Sequence, residues 1–418
     1  MLIHSANQLL TLTETPQRGH TLGELGLISN GALAVNLGRI IASGKSEDFL
    51  SRYHPKTSFD AGGKVVLPGF VDPHTHLVWA GDRALEFEQR LAGKSYMEIM
   101  ASGGGIISTV NKTRAASVEQ LISETLPRLD QMLTHGTTTA EVKTGYGLNT
   151  ETEIKLLETI LQLDELHPVD LVPTFLGAHA VPPEYKGQTD RYTDLVCNEM
   201  LPAVKRWWLQ RSPQRTLPFV DVFCEEGAFD LAQSRRILET AQDLGFPLKI
   251  HADEFKNLGG TALAATLNAA SADHLVVTPE EEILRLGASD TVAVSLPNTP
   301  FGLASPAYTP AKQILEAGGI LALATDLNPG TAWGESMQFA LALACRYLRL
   351  TPAEAIAAAT INAAAAIRIE QDTGSLANGK KADILVLNAP DYRHLGYRFG
   401  VNLVETVFKY GQIVSAFH

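Results

Sequence analysis

The chain has 418 residues, 45% of them hydrophobic and 19% charged, with a formal net charge of −12. That length exceeds one ordinary core and calls for two domains or a large barrel with an accessory, in a composition typical of a folded enzyme. The acidic balance argues against a nucleic-acid or anionic-membrane partner. No stretch approaches the roughly 18 apolar residues of a membrane span, and Cys197, Cys224 and Cys345 share no spacing suited to a zinc cluster or a disulfide framework.

The first basic residue is Arg18, so the start of the chain does not read as a secretion signal, and a reducing cytoplasm is the expected setting. Residues 31–43 read as a strand, a turn at Asn36 to Gly38, and a second strand. Near the other end, 382–387 and 406–414 repeat that character. Neither end can bury a core alone, so the two are expected to build one small β domain, 1–64 with 370–418, beside a 65–369 unit. Eight short apolar runs alternate with amphipathic segments between them: 65–71, 136–142, 169–177, 219–224, 247–250, 271–275, 291–296 and 320–325. Asp230 starts a helix with an apolar face of Ile237, Leu238, Ala241 and Leu244 that stops at Gly245. Thr278-Pro-Glu-Glu281 reads as a capping box for a helix closed by Gly287. The Ala-rich run 353–369 reads as a buried helix. Eight β/α units predict an α/β fold, a (β/α)8 TIM-like barrel, with a doubly wound sheet as the rival.

A barrel places its working groups at the carboxyl ends of its strands. The residues there are His74 and His76, Lys143 and Tyr146, His179, Glu225, His251, His274, Asn298 and Asp326. His74 and His76 end an apolar strand two residues apart, so both imidazoles leave one face together. With His251 and Asp326 they make three imidazoles and a carboxylate, a set that suits one zinc or iron ion with room for a water whose pKa falls toward about 7. Glu254, or Asp253 beside it, is placed to move a proton. His274 is placed to hydrogen-bond the attacking oxygen or to serve as a fifth ligand. Arg83 offers a bidentate site for a carboxylate, which an acidic protein needs if its substrate is anionic. Tyr146 lies between Gly145 and Gly147 in a tight loop, and Asn328, Gly330 and Thr331 follow Asp326 as groups suited to a polar product. The triple glycine Gly103 to Gly105 reads as a flexible lid.

Pro68-Gly-Phe-Val-Asp-Pro-His-Thr-His76, with His251, His274 and Asp326 in order, resembles the amidohydrolase superfamily. Gly136 to Gly147, Phe175 to His179, His251 to Glu254 and Thr325 to Thr331 resemble the blocks of its imidazolonepropionase family, and the likeness spans nearly the whole chain. The resemblance implies a composite β-sandwich of both termini beside the barrel, and hydrolysis of 4-imidazolone-5-propanoate to N-formimidoyl-L-glutamate in histidine degradation. It implies His74, His76, His251 and Asp326 as ligands and Glu254 and His274 as the groups handling water and protons, with Asp326 also in the chemistry. Arg83, Tyr146 and His179 would hold substrate; Asn328, Gly330 and Thr331 would hold product. A cytoplasmic homodimer is the family expectation. In that chemistry either His179 or His274 donates to the developing oxygen. Val220 to Glu225 offers no lysine on the fourth strand to bridge two metals, which favours one ion. The alternatives are another cyclic-amide hydrolase or a heterocycle deaminase of the superfamily, and more remotely a non-catalytic scaffold.

Overall fold

The apolar run at 65–71 serves two sheets rather than one, dividing at Pro68-Gly69. Pro68 has no N–H for a ladder. At Gly69 a Cβ would stand 2.1 Å from Thr138 Oγ1, so only glycine lets the chain cross there. The computed structural model describes residues 1–94 and 104–416.

Before the division lie β1 (Leu2–Leu10), β2 (Leu27–Asn36), β3 (Arg39–Lys45), β4 (Ser58–Asp60) and β5 (Val65–Pro68). After it come the eight strands β6 (Phe70–Asp72), β7 (Thr137–Lys143), β8 (Asp170–Ala178), β9 (Phe219–Cys224), β10 (Lys249–Ala252), β11 (Ser271–His274), β12 (Val292–Ser295) and β13 (Ile320–Leu323). They pair in that order, each parallel to the next, as expected for a barrel and not for a doubly wound sheet. Helices lie between strands, among them Thr150–Leu166 and Leu231–Asp243. Asp230 caps the second with a reciprocal pair, accepting from Gln233 N at 2.8 Å while Gln233 Oε1 accepts from Asp230 N at 3.0 Å. The buried face is Ser234, Ile237, Leu238 and Ala241, whereas Leu244, expected on the same face, is half-buried at the C-cap.

The last strands are β14 (Ile384–Leu387), β15 (Val404–Lys409) and β16 (Gln412–Ala416). With the first five they form one mixed sheet ordered β16-β15-β14-β5-β1-β2-β3, with β4 also paired to β1. The small domain is therefore one sheet folded on itself around Ile3, Leu9, Leu33, Val66, Ile384 and Phe408. Phe59 of β4 meets Phe408 of β15 edge-on at 5.1 Å. The sequence assigned Val65–Pro68 to the barrel; the structure gives it to this sheet, between β1 and β14.

Two other expectations change. The Ala-rich run makes two helices, Pro352–Ala358 and Ile361–Ala366, broken at Thr360, whose hydroxyl donates back to Ile356 O. The helix Glu280–Gly287 has Pro279 at its cap, because the Thr278 hydroxyl donates instead to Asp253 Oδ2 at 2.8 Å.

The sheet and barrel are welded by buried charge. Lys409 of β15 donates to Asp383 Oδ2 at 2.7 Å, to Asp170 Oδ2 of the barrel at 2.8 Å and to Thr138 O at 3.0 Å. Lys409→Met leaves Asp383 buried without its cation, and should lower stability by about 3–5 kcal/mol, read as a lower urea midpoint.

Candidate metal centre and active site

The barrel closes at the point where the first and last ligand candidates meet. Asp326 N donates to His74 O at 3.1 Å and His76 N to Leu327 O at 2.9 Å. Below them, Thr325 N and its hydroxyl donate to the buried Asp72 carboxylate. Burial is the main cause raising the Asp72 pKa to about 7. Asp326 has φ 55° and His274 φ 80°, a left-handed backbone that costs a side-chain-bearing residue on the order of 1–3 kcal/mol.

The structure brings His74, His76, His251, His274 and Asp326 together, all buried. His74 Nε2 is 3.5 Å and His76 Nε2 is 3.6 Å from Asp326 Oδ1, and His251 Nε2 is 3.3 Å from His76 Nε2. The donor atoms of His74, His76 and Asp326 lie within 4.8 Å of one another, as do those of His74, His251 and His274. His74 Nε2 is buried without a hydrogen-bond partner. A lone pair left so inside a protein is costly unless it faces a cation or water.

Burial drives the pKa of His74, His76 and His274 well below the usual imidazole value, and neighbouring cationic groups push the same way. The neutral ring is the ligating form. Asp326 is raised to about 6, chiefly by burial, although the Thr299 hydroxyl donates to its Oδ2. These residues fit a single cation with nitrogen and oxygen preferences, as zinc or iron has.

Glu254 and Asp253, adjacent in sequence, have separate fates. Asp253 accepts from Thr261 Oγ1 at 2.6 Å, Thr278 Oγ1 at 2.8 Å and Asn257 at 3.1 Å, so its carboxylate is committed to its own loop. Glu254 has its Oε2 3.7 Å from His274 Nε2. Its pKa stands well above the usual carboxylate range through burial first, then the nearby Asp326 and Glu225. Glu225 itself is used structurally, accepting from the Phe255 and Lys256 amides just past Glu254.

His179 stacks on His76 with ring centres 4.7 Å apart, and Tyr146 lies 5.9 Å from His76. The Tyr146 loop is held by Glu153, whose carboxylate accepts from the amides of Gly145, Gly147 and Leu148. Gly145 has φ 103°, and a Cβ there would sit 2.8 Å from His179 Nδ1. Gly145 O accepts from His179 Nδ1 at 3.1 Å, so that nitrogen carries the proton and Nε2 is left as an acceptor. Burial lowers the His179 pKa to about 3 and raises that of the Tyr146 phenol, which stays a donor.

Arg83 is half-buried, its Nε donating to Glu86 Oε2 at 2.8 Å. Its guanidinium rests against Gly330, where a Cβ would come within 2.4 Å of it. Asn328 spends its amide on the same loop: Oδ1 accepts from Gly330 N and Thr331 N, and Nδ2 donates to Asp326 O at 2.7 Å. Arg83, Arg90, Asn298, Gly330, Thr331 and Trp333 are among the walls of a cavity of about 330 Å³; the buried imidazoles are not. Asn298 is buried with neither amide atom hydrogen-bonded. Of the triple glycine, Gly103 lies outside the described residues; Gly105 begins the helix Ile106–Ala115 with φ 76°.

Sequence reading missed the groups beneath the imidazoles. Asp273 Oδ2 lies 2.7 Å from His74 Nδ1, and Asp221 Oδ2 lies 3.0 Å from His251 Nδ1 in a less well aligned approach. Lys143, read as a rim lysine, points instead into this layer. Its ammonium reaches Glu141 Oε1 at 2.7 Å and Asp221 Oδ2 at 2.8 Å, with no exposed side-chain surface. The available signal was a charged residue inside each of several otherwise apolar strands.

The amidohydrolase family model matches residues 65–414, and fold and site together define a hydrolase of that class. The chain is 55% identical to the imidazolonepropionase of Herpetosiphon aurantiacus over 413 residues, 99% of this chain and 96% of that one. It is 50% identical to that of Chloroflexus aggregans, covering 99% and 98%. The chain belongs to the imidazolonepropionase family. Among solved structures, 5-methylcytosine deaminase from Klebsiella pneumoniae liganded with 5-fluorocytosine superposes with a TM-score of 0.73 at 16% identity, covering 100% of this chain and 98% of that one. A zinc-bound adenosine deaminase from Xanthomonas campestris gives 0.69 at 18%, covering 99% and 92%. At those identities the likeness is one of fold.

Proposed function

We propose that this chain hydrolyses the ring amide of 4-imidazolone-5-propanoate to N-formimidoyl-L-glutamate, with His74, His76, His251 and Asp326 holding one zinc or iron ion. The observation that supports it most is that those four side chains, from the ends of the first, fifth and eighth barrel strands, fall in two buried triads that share His74, with His251 Nε2 3.3 Å from His76 Nε2 and His76 Nε2 3.6 Å from Asp326 Oδ1. When bound, the ion supplies Lewis-acid polarisation and acidifies water.

The chain's own groups supply the rest. Glu254 takes a proton from the attacking water at Oε2 and returns it to the departing ring nitrogen; burial raises its pKa, which makes the carboxylate a stronger base for that proton. His274 donates to the oxygen on which charge develops. His179 accepts a ring N–H at Nε2, and the Tyr146 phenol donates to the substrate. Arg83, whose guanidinium has room because residue 330 is glycine, binds the propanoate tail. Gly330 and Thr331 hold the product beside Asp326, on a loop that Asn328 shapes. The dimeric, cytoplasmic setting belongs to this reading and rests on family resemblance.

Asp326→Ala should lose both bound metal and turnover, followed by elemental analysis and by imidazolone absorbance on one sample; full activity in metal-free protein would overturn the mechanism. Glu254→Gln should keep its metal while turnover falls about 100-fold or more, and retained turnover would point to another base. Arg83→Ala should raise KM about tenfold or more with a smaller change in kcat; an unchanged KM removes Arg83 from the carboxylate site.

A further inference from the structure

Five charged side chains lie in one layer under the imidazoles with no exposed side-chain surface: Glu141, Asp221 and Asp273, and the ammonium groups of Lys143 and Lys249. We propose that Lys143 is a positioning residue for the metal ligands. It fixes three carboxylates, and each of these holds a different part of the ligand set.

Asp221 Oδ2 is shared between Lys143 Nζ at 2.8 Å and His251 Nδ1 at 3.0 Å. Asp273 Oδ2 accepts from His74 Nδ1 at 2.7 Å, with Lys143 Nζ 3.6 Å away. Glu141 Oε1 accepts from Lys143 at 2.7 Å, while its Oε2 accepts at 3.3 Å from the amide of Thr75, the residue between His74 and His76. One ammonium thus ties the strands carrying three of the four ligands. A carboxylate on Nδ1 sets the tautomer of an imidazole and aims its Nε2, and loss of such a partner weakens metal binding about 10–100-fold in other sites. Lys249 is the weaker anchor, 3.7 Å from Asp273 and turned toward the carbonyls of Pro73 and Ala366.

The role has a sign that simple electrostatics does not share. A cation near a metal site repels the metal, so removing Lys143 for charge alone should tighten binding. Removing it as a positioning group should loosen binding. The inference rests on the metal reading above, and zinc binding by the unaltered protein tests that reading separately.

The experiment measures zinc affinity of the stripped full-length protein by competition with a chelator, and the absorption spectrum of the cobalt(II)-loaded form. Lys143→Met and Asp273→Asn are compared with Asp383→Asn, which removes a buried carboxylate from Lys409 in the terminal sheet. The expected result is zinc binding weakened about tenfold or more in the first two, with an altered cobalt spectrum, while Asp383→Asn lowers the melting temperature and leaves zinc affinity unchanged. Unchanged or tighter zinc binding in Lys143→Met overturns the proposal. If that variant fails to fold, unchanged affinity in Asp273→Asn overturns it, and so does an equal loss of affinity in Asp383→Asn.

Discussion

An imidazole is aimed most firmly at a cation when its other nitrogen is held; Asp273 holds His74 and Asp221 lies beside His251, and both carboxylates must themselves be buried. Burying an ionised carboxylate is costly unless cations and hydrogen bonds answer it. Asp273 is answered by Ser271, His74 and the two lysines, and Asp221 by Lys143, His251 and the Val222 amide. Lys143 keeps its proton because Asp221, Glu141 and Asp273 together outweigh its burial, whereas burial prevails at Lys249 and lowers its pKa. The floor of the active site is a buried ionic layer of three carboxyl and two ammonium groups, and the barrel supplies the enclosed ring that such a layer requires.

The same economy of position governs the rim. Asp326 and His274 hold strained backbones where strands end, and the closing hydrogen bonds of the barrel run through the backbones of His74, His76 and Asp326 themselves. Closure of the fold and assembly of the ligand set are one event. Glu153 and Asn328 do for their loops what the buried carboxylates do for the imidazoles. Each spends a whole polar side chain on nearby backbone groups so that a neighbour, Tyr146 or Thr331, is presented in one place.

Much of this was legible in the sequence because strand-end chemistry has a simple grammar. His74-x-His76 leaves one face of a strand, and the recurrence of His179, His251, His274 and Asp326 at later run ends gave the barrel and the ligand candidates together. The split at Pro68-Gly69 was not legible, because an unbroken apolar run does not say which sheet each half joins. Thr278 matched a capping signature, yet its hydroxyl found a better acceptor in Asp253, a contact 25 residues away that local pattern cannot reveal. Asp253 and Glu254 could not be separated either, since only the positive φ of Asp253 turns the two carboxylates apart. Lys143 was noticed at its strand end, but whether a strand residue looks up into the mouth or down into the layer beneath depends on partners from other strands.

The terminal sheet imposes an order on how the enzyme is made. β5 leads directly into His74 and His76, and one of its two flanking neighbours is β14, which is translated after every barrel strand. On the ribosome β5, which precedes the barrel strand that delivers the first two imidazoles, must wait with one edge bare until the whole barrel has emerged. The stretch of backbone that anchors the first barrel strand is therefore flanked on both sides only once the C-terminal strands have been made.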